Sequence, residues 1–370
     1  MIAGGFTAAM IARDKPSIRE PWKRASEGFG DPRMDALAFA ILAPSPHNRQ
    51  PWWVELVGET ELLLFCDLSR RLPETDPPNR QITIGLGAFL ELLRMAFAEK
   101  GYRAGITPFP EGEPYPVLDE RPIARVSFQA DKNIAVDPLF QESLERRTNR
   151  STFSDKAVEP SQLRRLEEIA GFSGTGRFAH SGDDAVCETL KDIAAEAWRI
   201  ENNLLRTHME SVELTRIGAD EVAANPDGIS LYGPMMETYK TLGFLSREGM
   251  AEIGSTGHEA GQTFYMKAIQ SASAFGWLMS RDNTRQDQLQ AGADWVRLNL
   301  AATQLGLAFH PLSQALQEFP EMAAPFDAIH RFAGVEAPAR VQGLFRLGYA
   351  DAPRPSPRWP VESRIANLDG

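Results

Sequence analysis

Cysteine is scarce in this chain: Cys66 and Cys187 are the only two in 370 residues. Two thiols give no disulfide framework and no cysteine-built metal centre. Histidine is sparse too, and the six residues (47, 180, 208, 258, 310 and 330) show no His-x-x-x-His spacing, so no metal is expected. Basic charge is in deficit. With 39 Lys and Arg against 50 Asp and Glu, the net charge is −11, which repels phosphate backbones and argues against a nucleic-acid partner. Long apolar runs are missing. The uncharged opening, Met1 to Ala12, is too short to span a bilayer and is broken by Arg13-Asp14-Lys15-Pro16. It has the length of a signal-peptide core without the basic start. Two readings stay open: the remnant of a twin-arginine signal, implying a periplasmic protein, or a frayed tail on a cytoplasmic one.

What is present is core material. Hydrophobic residues make up 43% of the chain, which excludes wholesale disorder. The length suits two domains or one large intertwined pair. Asp31-Pro32 reads as an N-cap and first helical residue, with Met34, Leu37, Ala38, Ile41 and Leu42 at helical spacing behind it. Trp52–Leu56 and Leu62–Phe65 read as strands around a Gly58-Glu59-Thr60 hairpin. A helix is expected over Ile82–Lys100, then a Pro- and Gly-rich connection from Gly105 to Pro116 and a strand at Ala124–Phe128. Further helices are expected at Pro138–Glu145, from Pro160, and over Gln288–Leu305; further strands at Phe275–Met279 and Gly343–Tyr349. Asp184 to Gln270 reads as a polar-faced helical insertion. Gly87 and Gly101 recur as Gly292 and Gly306, an offset of 205 residues at both ends, which suggests an internal repeat. Chance remains the alternative, since glycine ends many helices.

Two short segments carry candidate chemistry. In Pro44-Ser45-Pro46-His47-Asn48-Arg49-Gln50-Pro51-Trp52, three prolines pin a turn whose Asn48 and Gln50 amides offer both donors and acceptors. The bland reading is a rigid loop with Trp52 and Trp53 in the core, and for the tryptophans it is preferred. In Arg146-Arg147-Thr148-Asn149-Arg150, two guanidiniums and a hydroxyl alternate, a set suited to one phosphate. Taken alone, that segment equally reads as a solvated basic turn. Asp227 and His258 are candidate proton donors, although ordinary surface polarity is the default.

Together these segments resemble the two flavin-contacting motifs of the nitroreductase superfamily, in reversed order along the chain. In that family the motifs meet across a homodimer; here both lie on one chain, as fused copies would place them. Leu305-Gly306-Leu307-Ala308-Phe309-His310-Pro311-Leu312-Ser313-Gln314 is similar to the family's flavin-flanking Leu-Gly-x-x-x-x-Pro-Ile-Glu-Gly, with Ser313-Gln314 replacing Glu-Gly. Ser356-Pro357-Arg358-Trp359-Pro360 is similar to its terminal phosphate-binding Lys-Ser-Arg-x-Pro. The closest resemblance is to the fused-repeat, Acg-like branch. It implies an α+β, nitroreductase-like fold: two fused repeats forming an intramolecular pseudo-dimer, with mixed or antiparallel sheets flanked by helices. The expected divisions are a tail (1–30), a first repeat (31–135) and a second repeat (136–370) with the insertion at about 184–270.

The resemblance further implies one FMN per chain. Pro44, Ser45, Pro46, His47, Asn48 and Gln50 of the first half would hold it, with Arg146, Arg147, Thr148, Arg150, Pro311, Leu312, Ser313, Gln314 and Arg358 of the second. A reciprocal site would need an arginine motif before residue 40 and a Pro-Ser-x-x-Asn motif in the second half; neither is present. The segment around Asn225-Pro226-Asp227-Gly228-Ile229 would cover the flavin. The implied activity is that of an FMN oxidoreductase, with the flavin itself carrying the catalytic chemistry. Hydride would pass from NAD(P)H to flavin and on to a nitroaromatic, quinone or similar small molecule. The alternative is an FMN-storage or regulatory protein with little NAD(P)H turnover, and a weaker third is a flavin-destroying or oxygen-using enzyme. A monomer is expected.

Overall fold

The computed structural model describes residues 18–172 and 177–366; the Met1–Ala12 segment lies outside them. The first half runs α1 (Glu20–Glu27), α2 (Pro32–Ala40), β1 (Trp52–Val57), β2 (Glu61–Cys66), α3 (Arg80–Glu99), β3 (Tyr102–Pro108) and β4 (Ala124–Ala130). The second half opens with α4 (Pro160–Ala170) and β5 (Arg177–Ser181). The stretch expected as an insertion holds α5 (Asp184–Asn203), α6 (Leu205–Glu213), β6 (Thr215–Ile217), α7 (Ala219–Ala224), β7 (Ile229–Leu231), α8 (Pro234–Thr241), α9 (Arg247–Ala251) and α10 (Thr256–Gln270). The chain then forms β8 (Ala274–Ser280), α11 (Arg285–Gln304), β9 (Ala308–Pro311), α12 (Ala323–Ala333) and β10 (Arg340–Gly348). The class is α+β, as expected.

Two four-stranded antiparallel sheets have the orders β1-β2-β4-β3 and β5-β8-β10-β9. Counted within each sheet, both orders are first, second, fourth, third, and each sheet has a 20-residue helix between its second and third strands. Those helices, α3 and α11, both end at a left-handed glycine, Gly101 (φ 79°) and Gly306 (φ 67°). The pair β6–β7 is parallel and makes the only third sheet among the described residues.

The helices α3 and α11 pack against each other at the closest approach their backbones allow. A Cβ on Gly87 would sit 2.0 Å from the Leu289 carbonyl oxygen, and one on Gly292 would sit 1.9 Å from that of Ile84. The contacts exchange under the 205-residue offset: 84 pairs with 292 and 87 with 289. That is the reciprocity of a two-fold contact. By length and composition α3 could cross a bilayer (mean hydropathy 1.3), but 89% of that stretch is buried, here against α2 and α11.

Local differences from the sequence reading have simple causes. The stretch from Gly105, expected as a connection, is strand β3 as far as Pro108, because an edge strand tolerates glycine and proline. The helix expected at Pro138–Glu145 is a single 3-10 segment, Pro138–Glu142, capped by Asp137. The short strands β5 and β9 have too few residues to show a period.

Gly87→Ala and Gly292→Ala are each expected to destabilise the protein by at least about 2 kcal/mol in denaturant titration. This reverses the roughly 1 kcal/mol that alanine gains over glycine inside a helix. Gly261→Ala in α10, where an added Cβ meets nothing within 4 Å, is expected to be neutral or stabilising. A similar response at all three positions would remove close approach as the cause.

Candidate functional site

The proline-pinned turn rests on α3, where Gly85 leaves room for the Cβ of Ser45 and the ring of Pro46. Within it His47 (φ 47°), Asn48 (φ 52°) and Gln50 (φ 51°) are left-handed. Each such non-glycine residue costs about 1–2 kcal/mol, so the turn must be held by its surroundings. It is. Ser45 accepts from the Asn48 N–H through its carbonyl (3.0 Å) and from the Gln50 N–H through Oγ (3.0 Å). Asn48 donates from Nδ2 to the Pro357 carbonyl (3.2 Å), and Trp359 N–H donates to Gln50 Oε1 (3.0 Å). Trp52 is core, 5.3 Å from Phe89, whereas Trp53 is half-buried beneath Arg364.

The arginines divide by partner. Arg146 is buried and donates to Asn299 Oδ1 of α11 (2.8 Å) and to the Leu42 carbonyl just past α2 (3.1 Å); its Nε has no partner. Burial, with Arg147 nearby, pulls it down to about 9, so it stays charged at neutral pH. Arg358 donates to the carbonyls of Ile41 (3.0 Å), Leu42 (3.1 Å), Ala43 (3.0 Å) and Pro357 (2.9 Å), to Asn48 Oδ1 (2.6 Å) and to Ser356 Oγ (2.7 Å). It therefore caps the C-terminal end of α2, where the helix dipole favours a cation, and orients Asn48. Arg147 is held by the carbonyls of Leu144, Arg146 and Pro353 and lies over Trp22. Thr148 is half-buried. Arg150 is exposed and makes no hydrogen bond or ion pair to any described residue.

The structure thus brings Pro44–Gln50, Arg146 and Arg358 together around the end of α2. It does not turn Arg146 and Arg150 onto a shared protein partner. Pro311 closes β9 opposite Phe345; Leu312 is buried with its N–H on the Leu344 carbonyl. Ser313 accepts from Gln81 through its carbonyl (3.4 Å), and Gln314 donates to the Tyr265 hydroxyl (3.2 Å). Burial pushes Tyr265 up to about 12, despite the Arg150 charge. His47, desolvated and beside Arg150 and Arg49, is pulled down to about 4 and is neutral.

Sequence reasoning missed several residues here. Asp227, expected as surface polarity, is buried and joins three donors: Arg70 Nη1 (2.7 Å), Arg216 Nη2 (2.8 Å) and Trp359 Nε1 (3.0 Å). Burial raises its pKa, but the Trp359 indole and Arg70 outweigh it and hold the carboxylate below its usual range. It is an ion-pair hub, not a proton donor. Next to it, the Pro226 carbonyl accepts from Gln50 Nε2 (2.7 Å) and Gly228 N–H reaches the Asn48 carbonyl (3.3 Å). Residues 226–228 are thereby fastened onto the turn. His258 is also buried, between Asn202 and Gly254, and serves the packing of α10 against α5. Arg346 is fully buried in β10; a lone arginine in Gly343–Tyr349 is a readable sign of a polar interior, since such a charge needs partners.

The topologically equivalent place in the other half differs in charge. There Arg297 Nε donates to the Ala170 carbonyl at the end of α4 (2.6 Å), as Arg146 does to Leu42. Arg297 is ion-paired with Glu91 (2.9 Å) and Asp137, and Arg94 with Glu91 (2.7 Å). A groove of about 530 Å³ lies here, but its guanidiniums are neutralised. Arg146, Arg150, Arg346 and Arg358 have no carboxylate partner among the described residues.

Asp227→Asn is expected to speed hydrogen exchange across residues 214–231 at least about tenfold, because removing one partner of a buried ion pair is costly. Unchanged exchange there would show that the fastening does not depend on Asp227. A second expectation concerns Glu201, a buried carboxyl that accepts from Gln317 and that burial pushes up to about 7. A raised carboxyl pKa favours the folded state at low pH, and that stability is lost as pH rises from about 4.5 through 7. Glu201→Gln should therefore flatten the fall in melting temperature between pH 5 and pH 8; a parallel fall in both proteins would contradict this.

No family model matches the chain. It is 26% identical to "Putative NAD(P)H nitroreductase acg" of Mycobacterium tuberculosis over 88% of this chain and 93% of that one. It is 37% identical over 125 residues to "Uncharacterized protein Rv3127" of the same organism, where the match spans about a third of the relative's length (35%) and 32% of this chain. Among solved structures, a nitroreductase-like family protein from Bacillus cereus overlaps 64% of this chain and 98% of its own, at 15% identity and a TM-score of 0.35. Over most of both chains, then, this chain is similar to the Acg protein, at 26% identity.

Proposed function

We propose that the chain is a flavin oxidoreductase that holds one FMN between its two halves. One observation carries this: Arg146, Arg346 and Arg358 are buried and Arg150 is exposed, and none of the four has a carboxylate partner among the described residues, in a chain of net charge −11. The three buried cations call for an anion, and the mycobacterial relative bears the name "Putative NAD(P)H nitroreductase acg". The donor set fits a phosphate monoester. Arg150 donates to no described residue, Arg146 has an orphan Nε, and Thr148 between them in sequence offers a hydroxyl. Flavin, when bound, supplies the redox chemistry of the NAD(P)H-to-acceptor reaction. The protein's own part is to bind and to exclude water. Arg358 and Ser45 fix the left-handed turn, and Pro311 to Gln314 form a rigid wall anchored on β10. Nitroaromatics or quinones are the acceptor class proposed.

The same reading takes the two sheets of one topology as two fused copies that imitate a dimer. Residues 31–135 and 136–370 are the repeats, 184–270 is the insertion, and the working form is a monomer. A second reading, FMN storage or regulation with slow NAD(P)H turnover, is favoured by the fastening of 226–228 onto Asn48 and Gln50. Such cover segments open on microsecond-to-millisecond timescales, so closure regulates access rather than abolishing it.

Arg150→Ala is expected to weaken FMN binding at least about tenfold by flavin-fluorescence titration, while leaving riboflavin binding and thermal stability unchanged. Arg146→Ala is expected to lower both FMN affinity and melting temperature, since Leu42 and Asn299 lose a buried partner. Full FMN affinity in the Arg150 variant would move the phosphate elsewhere.

A further inference from the structure

A histidine beside the arginine segment has its tautomer set by its neighbour. Arg346 Nε donates to His310 Nδ1 at 2.8 Å, and a guanidinium can only donate. Nδ1 is therefore the acceptor, and neutral His310 must carry its proton on Nε2. Burial, with Arg346 and Arg150 nearby, holds the ring well below the usual histidine range, so the neutral form prevails. The residue is 1% exposed, yet Nε2 has no hydrogen-bond partner among the described residues. Nε2 keeps a small accessible surface, through which its N–H can meet a group from outside the protein.

The surroundings say what that is. Arg346 Nη2 donates to the carbonyls of Asn149 (3.2 Å) and Ser151 (2.7 Å), so it grips the backbone on both sides of Arg150. Asn149 N–H donates to the carbonyl of Phe309, the residue before His310 (2.9 Å). Arg150 and His310 thus lie on two segments tied together at adjacent residues. Tyr265 closes the far side, edge to face with the His310 ring at 5.5 Å and stacked on Trp198 at 4.1 Å. Among the described residues, no carboxylate hydrogen-bonds to Arg150, Arg346 or His310.

We propose that His310 is a fixed N–H donor of this site and, with the Arg150 guanidinium, recognises an oxyanion, a phosphate or carboxylate group of the bound molecule. Arg346 acts as its positioning residue by holding the Nε2–H tautomer. The inference adds a residue to the flavin reading and rests on that reading only for where the oxyanion comes from.

The test begins with the unliganded wild-type protein labelled with ¹⁵N-histidine. Long-range ¹H–¹⁵N correlation is expected to show His310 neutral and protonated at Nε2. Inorganic phosphate is then titrated in, with His310→Gln, which keeps a donor near Nε2, and His310→Leu, which keeps none. Phosphate is expected to shift the Nε2 proton, to bind the Leu variant at least about tenfold more weakly, and to bind the Gln variant within a few-fold of wild type. FMN, riboflavin and benzoate then identify the source. If phosphate competes with FMN and His310→Leu weakens FMN but not riboflavin, the oxyanion is the flavin's phosphate. If phosphate or benzoate still binds the FMN-loaded protein through His310, it belongs to the acceptor. An Nδ1–H tautomer, or equal phosphate and benzoate affinity in wild type and both variants, overturns the proposal. If the protein takes up no FMN at all, the flavin reading fails while the phosphate titration still decides on His310.

Discussion

The contact between α3 and α11 at Gly87 and Gly292 is the constraint from which the rest of the structure follows. Two backbones approach so closely that neither position has room for a methyl group. Because the helices cannot slide apart, whatever each carries is fixed relative to the other. Two residues along α3 from Gly87, Gly85 seats Ser45 and Pro46 of the pinned turn. Two turns along α11, Asn299 grips Arg146 and the Arg147 carbonyl. Elements 100 residues apart in sequence are thereby set edge to edge.

Around that frame the energetics are those of buried arginine. Arg146, Arg346 and Arg358 are desolvated and find no carboxylate among the described residues; backbone carbonyls, Asn299, Asn48 and His310 offset part of the cost. Carbonyls at a helix end carry only partial charge, so the cluster keeps a positive potential. In the matching place of the other half, Glu91 and Asp137 neutralise Arg297. The two halves share a strand order but not a charge balance, and that difference supports one anion site rather than two. Asp227 then adds a fastening that joins Arg70 of the first half to Arg216 and Trp359 of the second.

Much of this was legible beforehand. The helices α2, α3 and α11 followed from apolar periodicity, the Asp31 cap and the terminal glycines, and the strands β1, β2, β4, β8 and β10 from runs of β-branched and aromatic residues. The strands β5 and β9 were not, because four or five residues carry no measurable period. Around the site, the turn and the arginine segment stood out through prolines and charge. His310, Tyr265 and Asp227 did not, because their roles depend on partners 36, 49 and 132 residues away, His310 with Arg346, Tyr265 with Gln314 and Asp227 with Trp359. Composition also misjudged Asp227 and His258: a polar residue reads as exposed until its buried partners are known.

Native mass spectrometry of the FMN-reconstituted protein tests the central claim most directly, since it reads chain count and flavin count in one spectrum. A single chain carrying one flavin is the predicted species, because one set of unneutralised guanidiniums is assembled within one chain. Two flavins per chain, or flavin retained only by a dimer, would contradict the account.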